Sequence, residues 1–360
     1  MSYILFGGTF DPIHFGHINI AKFALEKLSA DKVIFIPSKN PRWKDPISSA
    51  DRLNMINIAL SGEKDFIISH FELDSTEPVN YSIDTIEHFV KLYPNEKLYF
   101  LIGFDQVDNL DRWHEIDKIS KLVQIVAISR PSYPYNHELL KRYNVQVIQG
   151  KEYDVSSTDI RTLKSLYTPR GVIDYIVDHK LYFTKSVEAY MSSSRFLHSV
   201  STAKLAYDIA SSNGLDPTIA YIAGLIHDIA KERSDLKEIM EKHYPQYINM
   251  PSFIYHQFAG EYIARTFFKI DDERILEAIR VHTTGDRAMG KYAKILYAAD
   301  KIEPTRNFDS KSLIEAMKSN LTSGFREVLK AQIEYYKSKN IDYSNNMQMR
   351  CFTYYLKEER

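Results

Sequence analysis

Six short apolar runs lie in the first 150 residues, and helix-period segments separate them; after Arg195 no strand-like run occurs. The runs are Tyr3–Phe6, Val33–Ile36, Phe66–Ser69, Leu98–Ile102, Gln124–Ser129 and Val145–Ile148. Between them, Ile18–Leu28, Asp51–Leu60 and Ser82–Leu92 carry apolar residues at helical spacing. Strands that alternate with helices need crossover connections. The pattern therefore predicts an α/β fold, a doubly wound parallel sheet with helices on both faces. Such sheets bind ligands at the carboxyl ends of their strands, where helix N-termini offer unpaired N–H groups to phosphate. Beyond Arg195 the spacing is helical only. Thr218–Lys231 places Ile219, Ile222, Ala223 and Ile226 on one face, and Asp272–Val281 does the same with Ile275, Ala278 and Ile279. The chain reads as an α/β domain over 1–184 followed by an all-α domain over 190–360, with a polar boundary near Thr184–Ser194.

Charge and cysteine content narrow the function. The chain has 360 residues, with 46 basic against 47 acidic side chains. A protein that binds nucleic acid without sequence preference needs a basic surplus to displace counterions, so that class is excluded. The single cysteine, Cys351, forms no intramolecular disulfide. No run of about 18 apolar residues exists to span a membrane, and no basic segment leads into an apolar one at the N-terminus. A cytoplasmic protein without membrane or nucleic-acid partners is expected; oligomeric state is open.

The first apolar run leads into Gly7-Gly8-Thr9-Phe10-Asp11-Pro12-Ile13-His14-Phe15-Gly16-His17. The glycine pair predicts a tight turn and close approach of backbone to a ligand. Pro12 is expected to end the strand. His14 and His17, three apart, project from one side of the first helical turn, and Gly16 is expected to leave room for a phosphate. This motif resembles the nucleotidylyltransferase superfamily, and Ser2–Tyr182 resembles bacterial nicotinate-nucleotide adenylyltransferase. Ile102-Gly103-Phe104-Asp105 is similar to the family's adenosine site, Asp111-Arg112-Trp113-His114 to its tryptophan element, and Tyr81–Thr85 to its loop near the nicotinate carboxylate. Val155–Arg161 resembles its second phosphate motif. Pro41-Arg42-Trp43-Lys44 departs from the family's usual stretch, with tryptophan where histidine is common.

The resemblance implies AMP transfer from ATP, carried with Mg²⁺, to nicotinate mononucleotide. It assigns Gly7, Gly8, Thr9, Phe10, His14, His17, Gly103, Asp105, Ser157, Thr158 and Arg161 to ATP, and Lys44, Thr85 and Trp113 to the second substrate. His14, His17, Lys44 and Arg161 would carry the chemistry. Transfer to another phosphate, such as phosphopantetheine, is the alternative.

In the second half, four histidines and two aspartates follow in order: His198, His227-Asp228, His256, His282 and Asp300. Imidazoles suit iron, manganese and zinc-like ions, and a carboxylate can bridge two of them. Such a centre attracts polyphosphate and lowers the pKa of water. The pattern resembles the HD-domain metal-dependent phosphohydrolases, and more closely the bacterial HD family that splits diadenosine tetraphosphate into two ADP. The resemblance spans about Ser194–Arg306. It implies two divalent metals, iron or manganese, held by the six residues, with Asp228 and Lys231 acting on a dinucleoside polyphosphate. The alternatives are another nucleotide substrate or a regulatory module that senses nucleotide or metal.

Overall fold

A computed structural model describes the chain except residues 40–45, 78, 130–136, 151–154, 307, 345 and 358–360. It divides into two compact units, Met1–Ile160 with Tyr167–His179, and Arg161–Leu166 with Lys180–Arg360.

The first unit is built on six parallel strands: β1 (Ser2–Gly8), β2 (Lys32–Pro37), β3 (Phe66–Ile68), β4 (Lys97–Gly103), β5 (Gln124–Ser129) and β6 (Gln146–Gln149). Their order across the sheet is β3-β2-β1-β4-β5-β6. All six apolar runs of the sequence are strands. β1, β2 and β4 are covered on both faces, which is why they read as unbroken Ile, Leu, Val and Phe. The chain leaves β1 toward one side and returns through β4 on the other. This reversal of winding opens a crevice at their carboxyl ends. Helix Phe15–Leu28 follows β1 at once.

The second unit is helical, with no strand among its described residues. Helix Ser193–Ser212 packs along helix Pro217–Ile226. The latter is buried on every side from Ile219 to Ile226, as a helix at the centre of a bundle must be. The two axes approach closely because Gly224 faces the backbone of Ala203; a Cβ there would lie 2.6 Å from the Ala203 Cα. Helices Tyr255–Thr266, Glu273–Val281 and Lys291–Ile302 complete the centre of the bundle. Residues 180–188 belong to this unit, and Phe183, Thr184 and Val187 are buried. Among the described residues, no helix is long and apolar enough to cross a membrane.

Candidate functional sites

A cavity of about 430 Å³ opens at the ends of β1, β2 and β4. Gly7, Gly8 and Thr9 line it on one side, Gly103 and Asp105 on another, and Trp113 and Thr85 close it. The sequence had assigned all seven to nucleotide contact, and the fold brings them to one crevice. The indole of Trp113 stands edge-on to Phe100, with ring centroids 5.9 Å apart. The buried Thr85 hydroxyl donates to Glu72 Oε1 at 2.7 Å. Burial pushes the Glu72 carboxyl up to about 6, although the Thr85 bond works against this. Nothing in the sequence pointed to Glu72, because its partner lies 13 residues away across a turn.

Several expectations for the glycine motif need correction. The tight turn is made by Phe10, whose φ is +49°, not by the glycines. β1 ends at Gly8, ahead of Pro12. Gly7 has open space where a Cβ would be, so ligand can approach it; a Cβ on Gly8 would meet the Phe10 ring at 2.9 Å. The Phe10 ring is buried against Phe6, Phe35 and His17. A Cβ on Gly16 would meet Nδ1 and Cε1 of His14 at 2.9 Å. The room that Gly16 leaves is filled by the His14 imidazole, not by phosphate. The loop itself is pinned by Arg52, a buried guanidinium that donates to the carbonyl oxygen of Thr9 at 2.7 Å.

His14 caps helix Phe15–Leu28, and its backbone N–H donates to His17 Nδ1 at 3.3 Å. The two rings lie 3.8 Å apart by centroid. Burial lowers the His14 pKa to about 4, and the nearby Asp159 offsets this only in part. His14 is therefore a neutral donor near pH 7 rather than a cation. Helix Ser157–Arg161 starts beside it, capped by Ser156, whose Oγ accepts from the Asp159 N–H at 3.1 Å. The Ser157 hydroxyl is already used: it donates to the Pro12 carbonyl at 2.9 Å. Thr158 lies in the same helix, and Arg161 at its end groups with the second unit. Lys44 and the stretch around it lie outside the described residues.

The second unit gathers all six expected ligands. Their donor atoms form three overlapping sets, each within 4.8 Å: His198, His227 and Asp228; His227, His282 and Asp300; Asp228, His256 and His282. Local hydrogen bonds orient every ring. Nδ1–H donates to a carbonyl three residues back in His227 (Gly224, 2.8 Å), His256 (Phe253, 2.8 Å) and His282 (Ile279, 2.7 Å). In the neutral ring that leaves Nε2 with its lone pair facing the centre. His198 Nδ1 donates instead to Glu303 Oε1 at 3.0 Å, and its Nε2 meets Asp300 Oδ1 at 3.1 Å.

These residues fit a metal centre. His256 and His282 bring Nε2 to Nε2 at 3.2 Å, with the Thr283 hydroxyl 3.0 and 3.1 Å from the two atoms and Lys231 Nζ 2.9 Å from the first, so lone pairs converge where a cation would be held. His227 Nε2 is buried without a hydrogen-bond partner among the described residues. Asp228 belongs to two of the three sets: Oδ1 is 3.4 Å from His256 Nε2 and 3.3 Å from His282 Nε2, and Oδ2 is 3.6 Å from His227 Nε2. Burial alone would raise its pKa, but His227, His282 and His256 outweigh that and hold it well below the carboxylate range. Burial depresses His256 and His282. Burial also works against charge on His198, yet its bonds to Asp300 and Glu303 raise it to about 9.

Lys231 lies within the same cluster. Its Nζ is 2.9 Å from His256 Nε2, inside the cluster, and burial lowers its pKa. Sequence reasoning missed Arg195, whose Nη1 donates to Asp228 Oδ2 at 2.7 Å, and Glu303.

Residues 5–163 match the cytidylyltransferase-like family and residues 195–305 the HD domain family. Fold and sites thus define an enzyme that joins a nucleotidylyltransferase to an HD phosphohydrolase. A protein of Mycoplasma genitalium named probable nicotinate-nucleotide adenylyltransferase/Ap4A hydrolase is 32% identical over 340 residues, covering 91% of this chain and 96% of the relative. Its namesake in Mycoplasma pneumoniae is 31% identical over 343 residues, covering 91% and 98%. A probable nicotinate-nucleotide adenylyltransferase of Methylacidiphilum infernorum is 39% identical over 188 residues, 49% of this chain and 90% of the relative. The chain belongs to the family of nicotinate-nucleotide adenylyltransferase/Ap4A hydrolase fusions.

Proposed function

We propose that the N-terminal half transfers AMP from ATP to nicotinate mononucleotide, and that the C-terminal half hydrolyses diadenosine tetraphosphate to two ADP at a dinuclear metal centre. In this reading both reactions take place in the cytoplasm. The relatives' names support the substrates. The observation that carries the hydrolase reading is the Asp228 carboxylate, which faces two sets of imidazole donors.

For the transferase, the nucleophile is a phosphate monoester with a second pKa near ~6, already anionic at pH 7. No general base is needed. Its oxygen bonds to the α-phosphorus of ATP, the α–β bridging P–O bond breaks, and pyrophosphate leaves with its Mg²⁺. The protein contributes alignment and charge neutralisation. Neutral His14 donates a hydrogen bond to a phosphate oxygen, and His17 donates another. Lys44 and Arg161 supply positive charge. Gly7 admits the nucleotide, while Trp113 and Thr85 hold the nicotinate end.

For the hydrolase, His198, His227, Asp228, His256, His282 and Asp300 would hold two divalent ions, iron or manganese. Such ions bind polyphosphate oxygens and make water a better nucleophile at neutral pH. Asp228, whose two oxygens face different histidines, would serve both ions, and Glu303 orients His198. Lys231, beside His256 in the cluster, offers its ammonium to a phosphate oxygen. Water adds at a central phosphorus, the bridging P–O bond breaks, and each half leaves as ADP.

Product analysis tests the hydrolase directly. Diadenosine tetraphosphate with manganese or iron should yield ADP alone, and Asp228→Ala should abolish it. Tight metal binding without ADP would favour the sensing module instead. For the transferase, pyrophosphate should be released from ATP with nicotinate mononucleotide as acceptor, together with deamido-NAD, and should not be released when phosphopantetheine replaces the mononucleotide.

A further inference from the structure

Beside the histidine cluster lies a second cavity, of about 600 Å³, that none of the expected site residues lines. Its walls include Phe308, Val328 and Tyr335, with Gln332 among them and Lys301 and Arg306 at one side. We propose that this cavity seats one nucleoside of the dinucleoside polyphosphate, with Lys301 and Arg306 carrying the adjoining phosphates to the metal cluster; this rests on the hydrolase reading.

Three observations support it. First, Lys301 and Arg306 belong to both places. Each lines the cavity, and each touches the metal-ligand candidate Asp300: Lys301 Nζ lies 2.6 Å from Oδ2 and Arg306 Nη2 2.9 Å from Oδ1. A polyanion bound at the cluster and running toward the cavity meets both cations. Second, Phe308 and Tyr335 expose 51% and 52% of their surface. Large rings left open to solvent around a concave site are platforms for a base, which stacks without needing a hydrogen bond. Third, Gln332 offers a carboxamide, the group that pairs one donor and one acceptor with adenine. The cavity volume falls within the range of small-molecule sites, which is ample for a nucleoside.

The test uses the full chain loaded with manganese. Phe308→Ala and Tyr335→Ala trim exposed rings, so folding is not at stake. Losing one stacking contact should raise the KM for diadenosine tetraphosphate about tenfold. The Ki of inorganic tripolyphosphate as a competitor, which has no base, should not move. If both constants shift together, the rings act on the cluster and the proposal falls. It falls equally if neither shifts. If the wild type releases no ADP, the hydrolase reading has failed by itself. Calorimetry with ADP and with pyrophosphate then decides the cavity's role. Weakening of ADP alone in the two variants upholds the nucleoside site, and equal binding to wild type and variants overturns it.

Discussion

Replacing Gly224 by alanine should cost the second unit its metals while costing it little stability. Two effects on stability oppose each other. Alanine in a helix interior is favoured over glycine by about 1 kcal/mol. The new Cβ, however, would lie 2.6 Å from the Ala203 Cα and 2.9 Å from its N, both backbone atoms that no rotamer change can move. Carbon–carbon contacts settle at about 3.5–4.0 Å, so the two helices must part by roughly 1 Å. Overpacking of this kind costs about 1–3 kcal/mol. The net loss is then about 0–2 kcal/mol, a fall in Tm of up to roughly 8 °C for a unit of this size. The site is affected far more. Helix Ser193–Ser212 carries His198, whereas His227 follows helix Pro217–Ile226 and donates to the Gly224 carbonyl at 2.8 Å. Metal–ligand distances tolerate only about 0.2 Å. Purified Gly224→Ala should melt within a few degrees of wild type, retain adenylyl transfer, and contain much less iron or manganese by elemental analysis. Wild-type metal content in a folded variant would refute the claim that this close approach sets the ligand geometry.

Other outcomes follow from the same structure. Gly16→Ala should push the His14 ring aside, and a misplacement of about 1 Å should lower deamido-NAD formation roughly 100-fold; normal turnover would show that the ring can move harmlessly. The His14 pKa of about 4 in the folded chain lies below its ordinary 6.5. The unfolded state therefore takes up that proton first, and stability is lost as pH falls from 6.5 toward 4. Denaturant midpoints across that window should flatten in His14→Gln, and an unchanged slope would contradict the burial. Glu303→Ala leaves His198 Nδ1 without its acceptor and should weaken metal binding about 10–100-fold in chelator competition; unchanged affinity would remove Glu303 from the centre.

Much of this was legible in the sequence because it depends on local pattern. Runs such as Ile4-Leu5-Phe6 are unbroken because both sheet faces are covered. The His227-Asp228 pair lay at the end of an apolar helix, where its burial could be foreseen. What escaped notice depends on distant partners or on packing. Glu303 stands 105 residues from His198, and a glutamate just past a helix end reads as solvated until the fold buries it. Arg52 is an ordinary helix residue in the sequence, yet it reaches the Thr9 carbonyl 43 positions away. Gly16 misled for a related reason. A glycine between two histidines shows that space is needed without showing what fills it, and here the occupant is the imidazole two residues earlier.

The central claim is that two separate sites on one chain carry two reactions. Both rates should be measured on each of two variants, His17→Ala and Asp228→Ala. The account predicts opposite losses: His17→Ala stops deamido-NAD formation and still releases ADP from diadenosine tetraphosphate, while Asp228→Ala does the reverse. If either substitution, in a folded protein, abolished both reactions or neither, the assignment of one reaction to each site would be wrong.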